Sequence, residues 1–417
     1  MLDTILLQCA IAKAWEYQTL TLPNPSVGAL IYSPRYGILS LQAHQKVGAP
    51  HAEVLAFAHA ARKLYEIEST SVDRKCTTSN RVNEVATLEN PESHNRFSVC
   101  SRSGASRDSL SVSDTQVCDP QTCMEIIDSI FALPLLEQSA ALHDFLIRNA
   151  RGLFKDCTLY VSLEPCAHFG KTPPCVELTK AMRPKRVVIG TTDPHAKASG
   201  GAEILKNSGI EVALGVCESQ AQALLYPFVC YQERGSFRLF KLAMRLNDDY
   251  KSGQISCPAT QAFTHNQRAV SDTIIVSGET FRADLPRLDS RFATPPYDAS
   301  HLPQVEILTR STFTPSLNPH FASRPATLCH SPESLSTHQG FCIIEGGFNL
   351  LATLRDQVDM LLLHIAPNFY PNALEARLPN ALEPLLAHSS HSTQLCEMKL
   401  LHTTSHTGDI SLWFKAP

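Results

Sequence analysis

The sequence predicts an α/β fold in two domains. Three observations support it: strand-like apolar runs alternate with helical stretches along both halves, turn chemistry at Glu233-Arg234-Gly235-Ser236 separates the two series, and 417 residues exceed one ordinary domain. The expected division is 1–235 and 236–417.

In the first series Leu2, Ile5, Leu6, Cys9 and Ala12 recur at helical spacing, so the chain opens with an amphipathic helix ending near Gln18. Pro23-Asn24-Pro25 cannot continue it, and Val27 to Tyr32 reads as a buried strand in which Gly28 permits close backbone approach. The pattern from Ala52 to about Tyr65 is helical again, which places His51 and Glu53 at a helix N-terminus facing a helix that carries the cysteines. Thr158 to Leu163, Arg186 to Gly190 and Glu211 to Leu214 are strands, and Val176 to Met182 and Ala202 to Asn207 helices, of an α/β sandwich with a mostly parallel or mixed sheet. The second series has strands at Arg238 to Met244, Thr273 to Ser277, Val305 to Thr309, Phe341 to Glu345 and Met360 to Ala366.

A polar insertion interrupts the first domain at about 66–150. Residues 69–116 have few core-building side chains and read as a mobile loop, whereas Ile126, Ile127, Ile130, Leu142, Phe145 and Leu146 form short helices packing back on the domain. Deleting about 69–116 is expected to leave the first domain's activity nearly intact; a large loss in a steady-state assay would overturn the loop reading. Cys76, His94, Cys100, Cys118 and Cys123 offer ligands for a second metal, with free thiols as the plainer alternative because no Cys-x2-Cys pair is present.

A net charge of −4 without long lysine or arginine blocks argues against a nucleic-acid or membrane surface and for a small-molecule substrate. The first residues lack a basic n-region, and Lys13, Trp15 and Glu16 interrupt the apolar run, so a cytoplasmic protein is expected. Fourteen scattered cysteines then imply reduced thiols plus a metal site.

That site is carried by His51-Ala52-Glu53, Pro165-Cys166 and Pro173-Pro174-Cys175. Zinc held by one imidazole and two thiolates keeps a coordination position open for water, as a catalytic rather than a structural site does. Glu53 is the group that moves protons, and the set suits hydrolytic deamination of an amidine-like ring carbon. A rival reading makes the metal structural in a binding scaffold, but a closed site needs no spare carboxylate.

The loop Cys166-Ala167-His168-Phe169-Gly170-Lys171-Thr172-Pro173-Pro174-Cys175 is longer than the two-residue spacing of most such deaminases. It resembles the deaminase half of the bifunctional riboflavin-biosynthesis deaminase/reductases, as do Pro23-Asn24-Pro25-Ser26-Val27-Gly28, His44 to Pro50 and Asp193-Pro194-His195. The resemblance implies a cytidine-deaminase-like α/β/α domain followed by a dihydrofolate-reductase-like α/β domain, and a diaminated ribosylaminopyrimidinone phosphate as substrate. It also implies Zn2+ and NADPH as cofactors and a homo-oligomer. Asn24 would contact the pyrimidine, and His44, His168, Lys171 and Thr172 the ribose phosphate; a turn residue for Asn24, and unliganded loop residues for the others, are the competing readings.

In the second domain the resemblance assigns Thr280, Asp284, Gly346 and Gly347 to NADPH, and Arg268, Leu288, Arg291 and Glu345 to substrate, the two arginines to its phosphate. Two departures stand out. Arg245-Leu246-Asn247-Asp248 puts a bulky cation near the expected nicotinamide, and Cys257-Pro258-Ala259 replaces an aromatic-Ile-Thr segment. They leave open an alternative: a deaminase with a degenerate reductase domain that serves assembly or substrate retention.

Overall fold

The computed structural model describes residues 1–80, 119–168, 173–194, 199–251, 253–369, 397–406 and 408–417, with side chains of 71–80 and of residue 406 excepted. The chain opens with α1 (Leu2–Trp15) and a hairpin of β1 (Gly28–Ser33) and β2 (Gly37–Ala43). Then come α2 (Ala52–Asn80), α3 (Pro120–Phe131), α4 (Gln138–Asn149), β3 (Thr158–Leu163), α5 (Cys175–Met182), β4 (Arg186–Thr191), α6 (Gly201–Asn207), β5 (Glu211–Leu214) and α7 (Glu218–Arg234). The sheet order is β2-β1-β3-β4-β5. β1 is antiparallel to both neighbours and β3, β4 and β5 are parallel, which makes the sheet mixed.

Period-two burial explains its two covered faces. Ala29, Ile31, Leu159, Val161, Val187 and Ile189 pack under α2 to α6, while the intervening Leu30, Tyr160 and Val188 pack under α1 and α7. Gly28 has the close-approach role expected of it: a Cβ there would overlap the Ala10 carbonyl of α1. α2 runs past the expected end at Tyr65 to Asn80, and Ile127, Ile130, Leu142, Phe145 and Leu146 of α3 and α4 join the first core. Most of the expected loop, with His94, Cys100 and Cys118, lies outside the described residues, as does the side chain of Cys76. Cys123 is buried in the core.

Gly235, with φ 68°, is the sole residue between α7 and the next strand and caps the helix in the left-handed region. The second half contains β6 (Ser236–Arg245), α8 (Pro258–Arg268), β7 (Thr273–Ser277), α9 (Gly278–Asp284), β8 (Gln304–Leu308), β9 (Thr327–Cys329), β10 (Gly340–Glu345), α10 (Phe348–Leu354), β11 (Met360–Ala366), β12 (Lys399–His406) and β13 (Asp409–Lys415). Its sheet order is β12-β13-β11-β6-β10-β7-β8-β9, with β12 and β13 forming an antiparallel edge.

The two halves share a core. Phe237, Leu239, Phe341, Ile343, Met360, Leu362 and Trp413 of the second sheet pack in one cluster with Leu7, Ala10, Trp15 and Leu224 of α1 and α7. Trp15 stacks on His402 with ring centroids 4.8 Å apart. Substantial apolar area is therefore buried between the halves, and each leans on the other for stability.

Candidate active site

His51 directly precedes α2, and its carbonyl accepts the first helical hydrogen bond from the Leu55 amide (3.1 Å). Glu53 follows in the first turn, where the positive end of the helix favours a carboxylate. Cys166 lies in the loop after β3 and Cys175 opens α5 behind Pro174, whose fixed φ suits a helix start. The expectation of one helix carrying both cysteines is thus corrected: a strand end supplies one and a helix start the other. Val176 N donates to Cys166 O (3.2 Å) and Cys175 N to the Cys166 sulfur (3.3 Å), fastening the two together.

One ligand atom each from His51, Cys166 and Cys175 lies within 4.8 Å of the others. His51 Nδ1 is 3.2 Å from Cys175 Sγ and 3.7 Å from Cys166 Sγ. Two sulfurs and an imidazole so placed are a donor set that fits zinc. The side chains alone already polarise the cluster. The Cys175 hydrogen bond, and then His51, draw the Cys166 thiol down to about 4 against its burial, and the same hydrogen bond and burial push Cys175 well up. Burial pulls His51 down, but the Cys166 sulfur and Glu53 outweigh it. Burial pushes Glu53 up to about 7 despite the counter-pull of His51.

His51, Cys166 and Glu53 line a cavity of about 470 Å³ together with Pro23, Asn24, Val27, His44, Val47, Ala49 and His168, and Cys175 lies buried behind it. His44 Nδ1 donates to Pro50 O (3.1 Å), which leaves Nε2 to accept from the Asn24 amide (3.4 Å). Burial and the neighbouring His51 hold His44 down at about 4. It is therefore neutral, and it lines the cavity as an uncharged hydrogen-bonding group beside Asn24. Lys171 and Thr172 lie outside the described residues.

Phe228 and Gln232 of α7 also line this cavity. Neither is legible in the sequence, because Pro227 interrupts the helical pattern of α7. Glu164, adjacent to the Pro165-Cys166 pair, accepts from Asp193 N (3.2 Å) and Ala202 N (2.8 Å) and so ties the ligand loop to α6. Gly201 in α6 sits so close that a Cβ would overlap the Pro165 carbonyl. Gly201→Ala is therefore expected to displace Cys166 and lower metal affinity roughly tenfold or more. A competition titration against a chromophoric chelator checks this; unchanged affinity would refute it.

A second cavity, of about 1180 Å³, opens at the C-terminal ends of β6, β7, β8 and β10. Leu288, Thr280, Asp284, Glu345, Gly346, Gly347 and Arg268 all line it. Arg268 makes two 2.7 Å hydrogen bonds to Glu345 and a third to Asp289 O (3.1 Å), so residues expected to contact substrate separately form one partly buried pair on the cavity wall. Arg291 is not among the lining residues: its guanidinium is 2.5 Å from Asp289 and lies over the Phe292 ring. Arg245 is likewise turned away. It is buried, donates to Gln254 O (2.8 Å) and lies 3.6 Å from Asp249, so the expected obstruction of the nicotinamide is corrected. Cys257 and Pro258 start α8, whose cap amide donates to Asp409 (2.8 Å).

Burial would raise the Glu345 carboxyl, but Arg268 and Lys241 outweigh it and hold it at about 2. A carboxyl depressed in the folded state adds stability that is complete above its ordinary 4.5 and is lost as pH falls toward 2. Acid unfolding followed by near-ultraviolet circular dichroism should therefore begin below about 4.5, with Glu345→Gln lacking that limb. An identical limb in the variant would refute the assignment.

Residues 245–377 match the model of the RibD C-terminal domain. The riboflavin biosynthesis protein RibD of Aquifex aeolicus is 31% identical over 244 residues, 54% of this chain and 66% of that one. The RibD of Chlamydia pneumoniae is 36% identical over 156 residues, 36% of this chain and 41% of its own length. The chain belongs to the RibD family of riboflavin-biosynthesis proteins. The matched stretches span less than two thirds of these relatives' length. Two solved structures align over the whole chain and 99% of their own: Acinetobacter baumannii RibD (23% identity, TM-score 0.52) and a diaminohydroxyphosphoribosylaminopyrimidine deaminase/5-amino-6-(5-phosphoribosylamino)uracil reductase from Thermotoga maritima (20%, 0.53). The RibD fold is thus present: a deaminase-like α/β/α layer followed by a dihydrofolate-reductase-like α/β domain. No helix among the described residues is long and apolar enough to cross a membrane.

Proposed function

We propose that residues 1–235 deaminate a diaminated ribosylaminopyrimidinone phosphate and that residues 236–417 reduce the ribosyl chain of the product with NADPH. The observation that carries the reading is the convergence of His51, Cys166 and Cys175, with His51, Cys166 and the buried Glu53 lining a cavity of about 470 Å³. His51, Cys166 and Cys175 would hold zinc. Bound there, zinc supplies the Lewis acidity that makes water nucleophilic near neutral pH. Water adds at the ring carbon bearing the amine, the carbon–nitrogen bond breaks and ammonia leaves. Glu53 takes a proton from the attacking water and gives it to the ring nitrogen, then takes the proton of the newly added hydroxyl and gives it to the amine as the carbonyl forms. Asn24, oriented by neutral His44, would contact the pyrimidine edge, and His168, Lys171 and Thr172 are assigned to the ribose phosphate.

In the second cavity Thr280, Asp284, Gly346 and Gly347 would hold NADPH, and Lys251, Arg282 and Arg310 offer cations for its phosphates. The volume and the mix of glycine, hydroxyl and cation fit a dinucleotide. Bound NADPH supplies the hydride. Leu288 and the Arg268–Glu345 pair would position the sugar, and Arg291 would reach the substrate phosphate only by leaving Asp289. The same reading carries a cytoplasmic setting, a homo-oligomer and no nucleic-acid or membrane partner. Two assays test it: ammonia release from the diaminopyrimidinone phosphate, and NADPH oxidation coupled to the deaminated product. Ammonia without NADPH oxidation or binding would leave a deaminase with a degenerate second domain.

A further inference from the structure

The last turn of α8 faces two ways. His265 and Arg268 line the larger cavity, and Asn266 and Gln267 between them make contacts elsewhere. Gln267 Nε2 donates to Thr19 Oγ1 of the first half (3.0 Å). Asn266 Oδ1 accepts from Thr294 N (2.8 Å), and its amide donates to Thr294 Oγ1 (3.2 Å). Thr294 in turn begins Thr294-Pro295-Pro296-Tyr297, which crosses to the first half. There the buried Tyr297 hydroxyl donates to Gln45 O (2.7 Å), and Lys46 Nζ donates to Pro296 O (2.9 Å) while lying 5.8 Å from the Tyr297 ring centroid.

Gln45 and Lys46 lie between residues that line the smaller cavity, with His44 on one side and Val47, Gly48 and Ala49 on the other. The segment is anchored at its start by His44 N to Val27 O (2.9 Å) and runs at its end straight into His51. Between those ends its backbone is gripped by the second half. A cavity wall made from an irregular segment keeps its shape only as well as its anchors, and small displacements of a wall are costly to substrate positioning.

We propose that Tyr297 and Lys46 form a brace by which the second half shapes the substrate cavity of the first, so that Tyr297 is a positioning residue for the first reaction. It rests on the deaminase reading for its consequence, though not for its geometry. The brace explains why Lys46, a cation beside the cavity, is not among its lining residues: its ammonium is directed to the Pro296 carbonyl.

Tyr297→Phe in the full chain removes one hydrogen bond and keeps the ring, and Lys46→Met removes the other. In each, amide hydrogen exchange over 44–50 should speed by about three- to tenfold, as expected for one lost hydrogen bond. KM for ammonia release should rise by a similar factor, with kcat within about twofold and zinc content and NADPH oxidation unchanged. Unchanged exchange, unchanged KM, or a joint decline of both activities with melting temperature would each overturn the brace. If the wild-type chain itself releases no ammonia, the deaminase reading fails, and the exchange rates still decide whether the brace exists.

Discussion

Replacing Glu53 with glutamine is expected to stop ammonia release, a fall of at least ~10²- to 10⁴-fold, while the metal stays bound. The two halves of that expectation come from different features. Metal retention follows because His51, Cys166 and Cys175 supply the three converging ligand atoms without the carboxylate. Loss of turnover follows because the amide has the same shape but neither accepts nor releases a proton at working pH. Burial pushes the Glu53 carboxyl up to about 7, which suits a group that must both take a proton from water and return it to nitrogen. Metal analysis beside an ammonia assay checks the prediction. Full activity in Glu53→Gln would sink the proton-transfer role, and loss of zinc with activity would make Glu53 a structural support.

The first site was legible because its chemistry is local in sequence. His51 and Glu53 need only a helix start, and Cys166 and Cys175 only a strand end and a proline-set helix start, all of which leave residue-type signatures. What surrounds them was not legible. Gln232 and Phe228 reach the cavity from a helix hidden by Pro227, and Tyr297 reaches Gln45 from 252 positions away. The charge state of His44 also escaped the sequence, because burial and His51 set it. β2, β12 and β13 were missed for a related reason: they lie toward or at sheet edges, where one-sided burial leaves a mixed composition such as Lys399-Leu400-Leu401-His402-Thr403-Thr404. In the second half, the family resemblance picked out Arg268, Thr280, Asp284, Leu288, Glu345, Gly346 and Gly347 of the cavity wall, but nothing in residue order shows that Arg268 and Glu345 share one ion pair or that Arg245 turns away.

That pair yields the second large effect. Arg268→Ala is expected to destabilise the chain by up to about 3 kcal/mol and to abolish NADPH oxidation, because it leaves the mostly shielded Glu345 carboxylate with only Lys241 to balance it. A fall in stability by itself says nothing about catalysis, since removing one partner of a buried pair unbalances the other wherever it lies. The double variant Arg268→Met with Glu345→Leu separates the two effects. Apolar replacement of both partners removes the uncompensated charge, so the melting temperature should recover most of the loss. Lys241, pulled down by its own burial, then has neither the Glu345 carboxylate nor the Arg268 cation beside it. Ammonia release should persist, whereas NADPH oxidation should stay absent if the pair positions the sugar for hydride transfer. Recovery of NADPH oxidation with stability would show that the pair holds the cavity together and does not act on the substrate.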